Sequence, residues 1–206
     1  MSVRQYAFFV NSDACSGCKT CQVACKDAHD IRPGLHWRRV IEVQAGGWTQ
    51  RAGVWTTDTS AYYLSVACHH CAMPVCGQQC STHAIWKRPD GIVLIDDSRC
   101  TQCRKCENDC PYGAIRWDSS VNAVRKCTFC VEDLDAGRPP VCVASCPNRA
   151  LDFGEREELA GRYGGVSQVF PLADPAIAGP ALVVRPHREA GKAASLGPEV
   201  ANWEEI

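Results

Sequence analysis

The chain has 206 residues, room for one large domain or two small ones. Twenty-two basic residues offset twenty-three acidic ones, for a formal net charge of −1 with no long polybasic run, which argues against nucleic acid as a partner. Hydrophobic residues make up 46%, but sixteen of them are cysteines, and without these the apolar content is about 38%, a modest core. Such a scaffold needs staples, and cysteine is the only residue abundant enough to supply them.

The N-terminus, Met1-Ser2-Val3-Arg4-Gln5-Tyr6, lacks the apolar stretch and small-residue cleavage site of a secretory signal, so export alone by the general route is not expected. Strand-like Tyr6-Ala7-Phe8-Phe9-Val10 leads into Cys15, Cys18, Cys21 and Cys25, after which residues 25–29 read as helical. Residues 27–67 form an insertion with Trp37, Trp48, Trp55, Arg38, Arg39 and the turn Ala45-Gly46-Gly47; its indoles make either a small local core or a docking face for another subunit. Strand-like residues 62–66 lead into Cys68, Cys71, Cys76 and Cys80. Residues 92–95 precede Cys100, Cys103, Cys106 and Cys110, and the weaker 121–124 precede Cys127, Cys130, Cys142 and Cys146.

After three of these groups one phrase recurs: Cys80-Ser81-Thr82-His83-Ala84-Ile85, Cys110-Pro111-Tyr112-Gly113-Ala114-Ile115 and Cys146-Pro147-Asn148-Arg149-Ala150-Leu151. A fixed internal phrase marks a repeated unit, read here as a first helical turn or bend. Pro111 and Pro147 suit a place where the chain turns away, because proline fixes φ and needs no N–H partner. Residues 155–206 hold no cysteine and are rich in Gly, Pro and Ala; they are expected as an extended arm, with a disordered tail as the alternative. The longest apolar stretch, residues 166–184, is broken by Pro171, Asp174, Pro175 and Pro180 and cannot be a spanning helix, so membrane attachment must come through a partner.

Three chemistries use many cysteines. Disulfides stabilise most when they close long loops, which four cysteines within about ten residues do badly. Tetrahedral zinc takes two C-x2-C pairs separated by a longer loop, a spacing that only the fourth group approaches. The first and third groups are instead the C-x2-C-x2-C-x3-C run of bacterial ferredoxins, whose first three thiolates wrap one iron-sulfur cube while the fourth cysteine serves the other cube of a pair. Four runs therefore imply two ferredoxin-like pairs. With a cysteine at every ligand position, four complete [4Fe-4S] clusters are favoured over any [3Fe-4S] centre.

His69 and His70 lie between Cys68 and Cys71, but no second Cys/His pair has the separation of a Rieske centre, so both are read as non-ligands. No phosphate loop, Ser/His/Asp order or repeated carboxylate pair is present, and the chain reads as non-catalytic. Arg99, Arg104, Lys105, Arg125 and Lys126 beside the third and fourth groups either raise cluster potentials by favouring the more negative reduced cube or are surface and partner-facing charges.

Four ferredoxin-type motifs, with Trp37-Arg38-Arg39-Val40, Ala61-Tyr62-Tyr63-Leu64-Ser65, Cys142-Val143-Ala144-Ser145-Cys146-Pro147 and Arg149-Ala150-Leu151-Asp152-Phe153-Gly154, resemble the four-cluster iron-sulfur subunits of molybdopterin oxidoreductases, above all those of the anaerobic dimethyl sulfoxide reductase type. The likeness runs over nearly the whole chain and is less diagnostic after residue 165. It implies that the first group pairs with the fourth and the second with the third. The cubes would be held by Cys15, Cys18, Cys21 and Cys146; by Cys127, Cys130, Cys142 and Cys25; by Cys68, Cys71, Cys76 and Cys110; and by Cys100, Cys103, Cys106 and Cys80. The resulting expectation is an α+β fold of two ferredoxin-like two-cluster modules, residues 1–26 plus 120–154 and residues 68–119. Residues 27–67 are an inserted loop/hairpin region and residues 155–206 an extended C-terminal arm.

The resemblance further implies an electron-transfer subunit of anaerobic respiration. Its partners would be a molybdopterin catalytic subunit (Mo/W-bis-pterin), facing the first cube, and a quinol-oxidising membrane anchor, facing the last. The complex would sit peripherally on a bacterial cytoplasmic membrane, on the periplasmic face if co-exported with a twin-arginine partner and otherwise on the cytoplasmic face. The same role in a thiosulfate, polysulfide or tetrathionate reductase is the alternative. Formate dehydrogenase is another, although its subunits of this type commonly end in a membrane helix that is not expected here. A free soluble ferredoxin and a zinc-stabilised scaffold stand further off.

Overall fold

The computed structural model describes residues 4–205. Residues 1–3 and 206, which belong to the N-terminal stretch and to the outer ends of the segments delimited above, lie outside the described residues. The first strand, β1 (Tyr6–Asn11), buries Ala7, Phe8, Phe9 and Val10, as the continuous apolar run of a strand covered on both faces requires. Helix α1 (Thr20–Ala28) carries Cys21 and Cys25 one turn apart on one side. The insertion is a long antiparallel hairpin, β2 (Arg39–Arg51) with β3 (Val54–Val66). It closes through Ala52 and Gly53, both at positive φ, the two-residue turn whose twist matches that of paired strands.

Short elements follow: α2 (Val75–Gln78), the hairpin β4 (Ile85–Lys87) and β5 (Val93–Ile95), α3 (Lys105–Asp109), then the hairpin β6 (Arg116–Asp118) and β7 (Ala123–Arg125). Helices α4 (Val131–Asp135) and α5 (Val141–Ala144) precede β8 (Leu151–Glu155). The chain ends with α6 (Arg156–Tyr163), β9 (Leu182–Arg185), α7 (Ala190–Ser195) and β10 (Glu199–Val200). The fold is thus the expected α+β mixture of small sheets and short helices. The strand expected at 121–124 begins later, at Ala123, because Asn122 takes a left-handed φ in the turn between β6 and β7.

Strand β1 is central in a three-stranded sheet, antiparallel to β8 and parallel to β9. Helix α1 packs on α5, and α2 on α3, so elements of the first and fourth cysteine groups meet, as do those of the second and third. The largest core joins Phe8 and Val10 to the base of the hairpin, Val40, Val43, Tyr62 and Leu64, and to Cys21, Cys68, Cys127 and Cys142. A smaller core of Ile85, Val93, Ile115 and Val124 packs against Cys76, Cys80, Cys100 and Cys106.

Two expectations are refined. The insertion's indoles do not gather into a local core: Trp48 and Trp55, on the distal half of the hairpin, are 68% and 61% exposed, and only Trp37 packs against the main core. The arm, over its described residues 155–205, is strapped down. Leu182, Val183 and Val184 are buried in β9 beside β1, and β10 pairs with β2, so the tail clasps both the central sheet and the hairpin. Among the described residues no helix is long and apolar enough to cross a membrane.

Leu159 of α6 is 1% exposed and packs with Phe9, Ala181 and Val183, which seals the arm to the back of the central sheet. Truncation of a buried leucine costs about 2–5 kcal/mol. Leu159→Ala should therefore lower the melting temperature of the iron-loaded chain by roughly 4 °C or more, read by calorimetry, and should leave its iron content unchanged.

Candidate metal centres

The loops that carry the cysteines repeat one backbone device. Two residues after the leading cysteine of each group, φ is positive: at Gly17, His70, Gln102 and Phe129. Two residues further, Lys19 and Arg104 repeat it and open α1 and α3 from left-handed N-caps. Such corners curl the chain tightly enough to bring C-x2-C-x2-C thiols to one side while backbone N–H groups face them. The N–H groups of Gln102 and Phe129 donate to Cys100 and Cys127 Sγ, each at 3.4 Å. The recurrent phrase is a second device, a turn closed by the N–H of His83, Gly113 and Arg149 onto the carbonyls of Cys80, Cys110 and Cys146, again with positive φ at all three. It aims the next N–H at sulfur: Ala114 to Cys110 Sγ at 3.4 Å and Ala150 to Cys146 Sγ at 3.3 Å.

These devices gather the sixteen thiols in four places. Cys68, Cys71, Cys76 and Cys110 line one cavity, with His69 and Tyr112 in its wall. A second is lined by Cys80, Cys100, Cys103 and Cys106, and a third by Cys15, Cys18, Cys21 and Cys146. Cys25, Cys127, Cys130 and Cys142 are all buried and crowd together: ionisation of Cys25 is opposed by Cys142 and Cys130, that of Cys127 by Cys25 and Cys142. In every set three thiols come from one group and the fourth from another.

A family described as a 4Fe-4S dicluster domain matches residues 59–156. The B component of anaerobic dimethyl sulfoxide reductase from Escherichia coli (strain K12) is 40% identical over 202 residues, 98% of each sequence. The protein of the same name from Haemophilus influenzae is 41% identical over 189 residues, 91% of this sequence and 92% of that one. The protein belongs to the family of these dimethyl sulfoxide reductase B components. The B component of tetrathionate reductase from Salmonella typhimurium is a more distant relative, 34% identical over 158 residues, 77% of this sequence and 61% of that one. As a member of the family it is an iron-sulfur electron-transfer subunit, and its cysteines serve multiple [4Fe-4S] clusters.

The donor set fits such clusters. Among the described residues no three His, Cys, Asp or Glu side chains converge as a single ion needs, whereas four thiols around a cavity suit the separated corners of a cube. Several buried polar atoms beside the thiols also lack any partner: both ring nitrogens of His69, the Tyr112 hydroxyl, and Nε and Nη2 of Arg38. An acceptor such as cluster sulfur would satisfy the donors among them. Each of the four sets has four cysteines without either histidine; His70 Nδ1 accepts from the Val93 N–H at 3.0 Å, and burial pushes His69 down to about 3.

Of the cations flagged in the sequence, Arg104 pairs with Glu107 at 2.8 Å, Arg125 with Asp97 at 2.6 Å, and Lys105 donates to Gln79. These are surface contacts. Lys126 is the exception, 3% exposed, with its ammonium donating to the carbonyls of Val93 and Cys127 and favouring ionisation of Cys68 and Cys76. Three further participants are not marked as site residues by the cysteine motifs. Arg38 lies buried among the sulfurs, Ser65 Oγ sits 3.3 Å from Cys21 Sγ, and His29 Nε2 lies 3.2 Å from Cys130 Sγ.

Burial pushes the Cys25 and Cys76 thiols up to about 12 and Cys106 up to about 11. Without iron these groups are protonated at neutral pH, and each must lose its proton to become a ligand. Reconstitution with iron and sulfide should therefore release protons and rise in yield between pH of about 7 and 9, followed by absorbance and a pH-stat. Gly17 has φ +71°, and a Cβ there would lie 2.5 Å from the Tyr63 ring. Gly17→Ala should empty the first set, lowering iron by about a quarter while the other three sets keep theirs, by metal analysis.

Proposed function

We propose that this protein holds four [4Fe-4S] clusters in two ferredoxin-like modules and relays electrons between a quinol-oxidising membrane anchor and a Mo/W-bis-pterin catalytic subunit of the dimethyl sulfoxide reductase type. The ligand sets are Cys15, Cys18, Cys21 and Cys146; Cys25, Cys127, Cys130 and Cys142; Cys68, Cys71, Cys76 and Cys110; and Cys80, Cys100, Cys103 and Cys106. The modules comprise residues 1–26 with 120–154, and residues 68–119. The observation that carries this reading is the exchanged fourth cysteine, with the four sets linked in pairs by α1 against α5 and α2 against α3.

Bound clusters supply one-electron exchange without making or breaking substrate bonds. The chain's own work is to hold thiols, exclude water and place backbone N–H groups and cations around them. The likeness to iron-sulfur B components of reductases supports a non-catalytic role. The distal hairpin, with Trp48, Val54 and Trp55 all exposed, supports docking to a partner subunit, through which the chain would reach the membrane. The thiosulfate and tetrathionate reductase subunits, at 34% identity, support the same role in a sulfur-oxyanion complex as the second reading.

Anaerobically isolated protein should carry about sixteen irons and as many acid-labile sulfides. Cys15→Ser and Cys146→Ser should alter the same low-temperature EPR signal, although their sites are far apart in sequence. If Cys146→Ser instead alters the signal that Cys127→Ser alters, the exchange of ligands is wrong.

A further inference from the structure

Arg38 is 1% exposed, and its only hydrogen bonds among the described residues run from Nη1 to Ser65 Oγ at 3.2 Å and to the Ser65 carbonyl at 3.5 Å. Nε and Nη2 are buried without a partner. The guanidinium lies 4.5 Å over the Phe8 ring, which fixes its plane from below. The thiols whose ionisation acts on it most strongly are those of Cys142, Cys21, Cys127 and Cys25. Cys21 belongs to the first thiol set and the other three to the second. A guanidinium stays protonated in proteins, and a buried cation without a counter-charge is not tolerated. The counter-charge here is sulfur, drawn from two sets at once.

Resting on the ligand sets proposed above, we propose that Arg38 is a positioning residue shared by the first two clusters: its free Nε–H and Nη2–H are reserved for sulfur, and its fixed charge favours the reduced state of both. Lys126 and Arg39, the other buried cations, donate to backbone carbonyls. Among the described residues, Arg38 is the cation with buried donors left without a partner. Because reduction adds a negative charge to a buried group facing this cation, removing the cation disfavours the electron. The effect falls chiefly on the first and second clusters, which hold all four of the thiols that act on it most strongly.

The test is potentiometric EPR on the intact complex, with iron determined in parallel, for the parent, Arg38→Met, Arg38→Lys, Ser65→Ala and the surface control Arg162→Gln. Arg38→Met should keep its iron and lower two of four midpoints, each by at least tenfold in the reduced-to-oxidised ratio at fixed potential, about 59 mV for one electron. Arg38→Lys should recover at least half of that fall, and Arg162→Gln should move nothing. Full iron with four unmoved midpoints, or with all four lowered alike, overturns the role of Arg38 and leaves the ligand sets standing. Should Arg38→Met not accumulate with iron, Ser65→Ala decides. A fall in both midpoints, including the cluster that Ser65 does not touch, supports the proposal; a fall in one or none overturns it. A parent without iron overturns the ligand sets themselves.

Discussion

Sulfur must be ionised to hold iron, and burial opposes ionisation. Raising a thiol from 9.0 to about 12, as at Cys25, disfavours its thiolate by about 4 kcal/mol. A unit cation at ~5 Å in an effective dielectric near 20 returns about 3 kcal/mol, so one well-placed inner cation offsets most of one buried thiol. This explains why Arg38, Arg39 and Lys126 are buried in a chain of net charge −1 although no carboxylate lies within ion-pair distance of them among the described residues. Nearer the surface, arginines pair with carboxylates, such as the half-buried Arg88 with Asp135 and the exposed Arg138 with Asp133. The interior pairs its cations with sulfur and with carbonyls, and the surface pairs its own.

The backbone meets the same demand at its own cost. Lys19, His70, His83, Gln102, Arg104, Phe129, Cys130 and Arg149 all take positive φ within or just after the cysteine groups. At roughly 1 kcal/mol for each side chain in that region, these eight corners together cost about as much as the entire stability of an ordinary domain. Ligand binding has to offset them, so the loops and the iron are parts of one folding transition. The gain is local: a left-handed corner turns N–H groups inward, and four of them reach sulfur at 3.3–3.4 Å.

Cysteine spacing made the four thiol groups legible, and the apolar runs before them became β1, the end of β3, β5 and β7. Where sequence reasoning stopped short, the cause is physical. Residues 155–206 read as an extended arm because Gly, Pro and Ala dominate them, yet the brief run Leu182-Val183-Val184 of β9 is buried on both faces. Only Gly17 and Gly113 advertised left-handed corners; Gln102, Phe129 and Arg149 adopt the same φ with side chains that favour nothing of the kind, because the shared geometry of the sulfur sets overrides propensity. Arg38 sits in a loop-rich insertion between a tryptophan and another arginine, where a charge normally means solvent, and nothing local distinguishes it from the exposed Arg51.

Exposure of the cysteines adds a last constraint. Cys18 of the first set and Cys103 of the fourth are exposed, and each is the middle cysteine of its C-x2-C-x2-C run, at the tip of the loop. The second set is wholly buried and the third has no exposed member. Phe129, 0% exposed and stacked on Phe8 at 4.2 Å, packs in one core with Cys127 and Cys68, the Lys126 ammonium donates to the Cys127 carbonyl, and Cys68 opposes the ionisation of Cys127. In the proposed order, the two terminal sets each reach the surface through an exposed cysteine, where a partner can approach, and neither inner set has an exposed member. That suits the proposed relay: an electron would enter or leave most readily at the ends, where a cysteine is exposed, while a packed aromatic and a buried cation lie along the way.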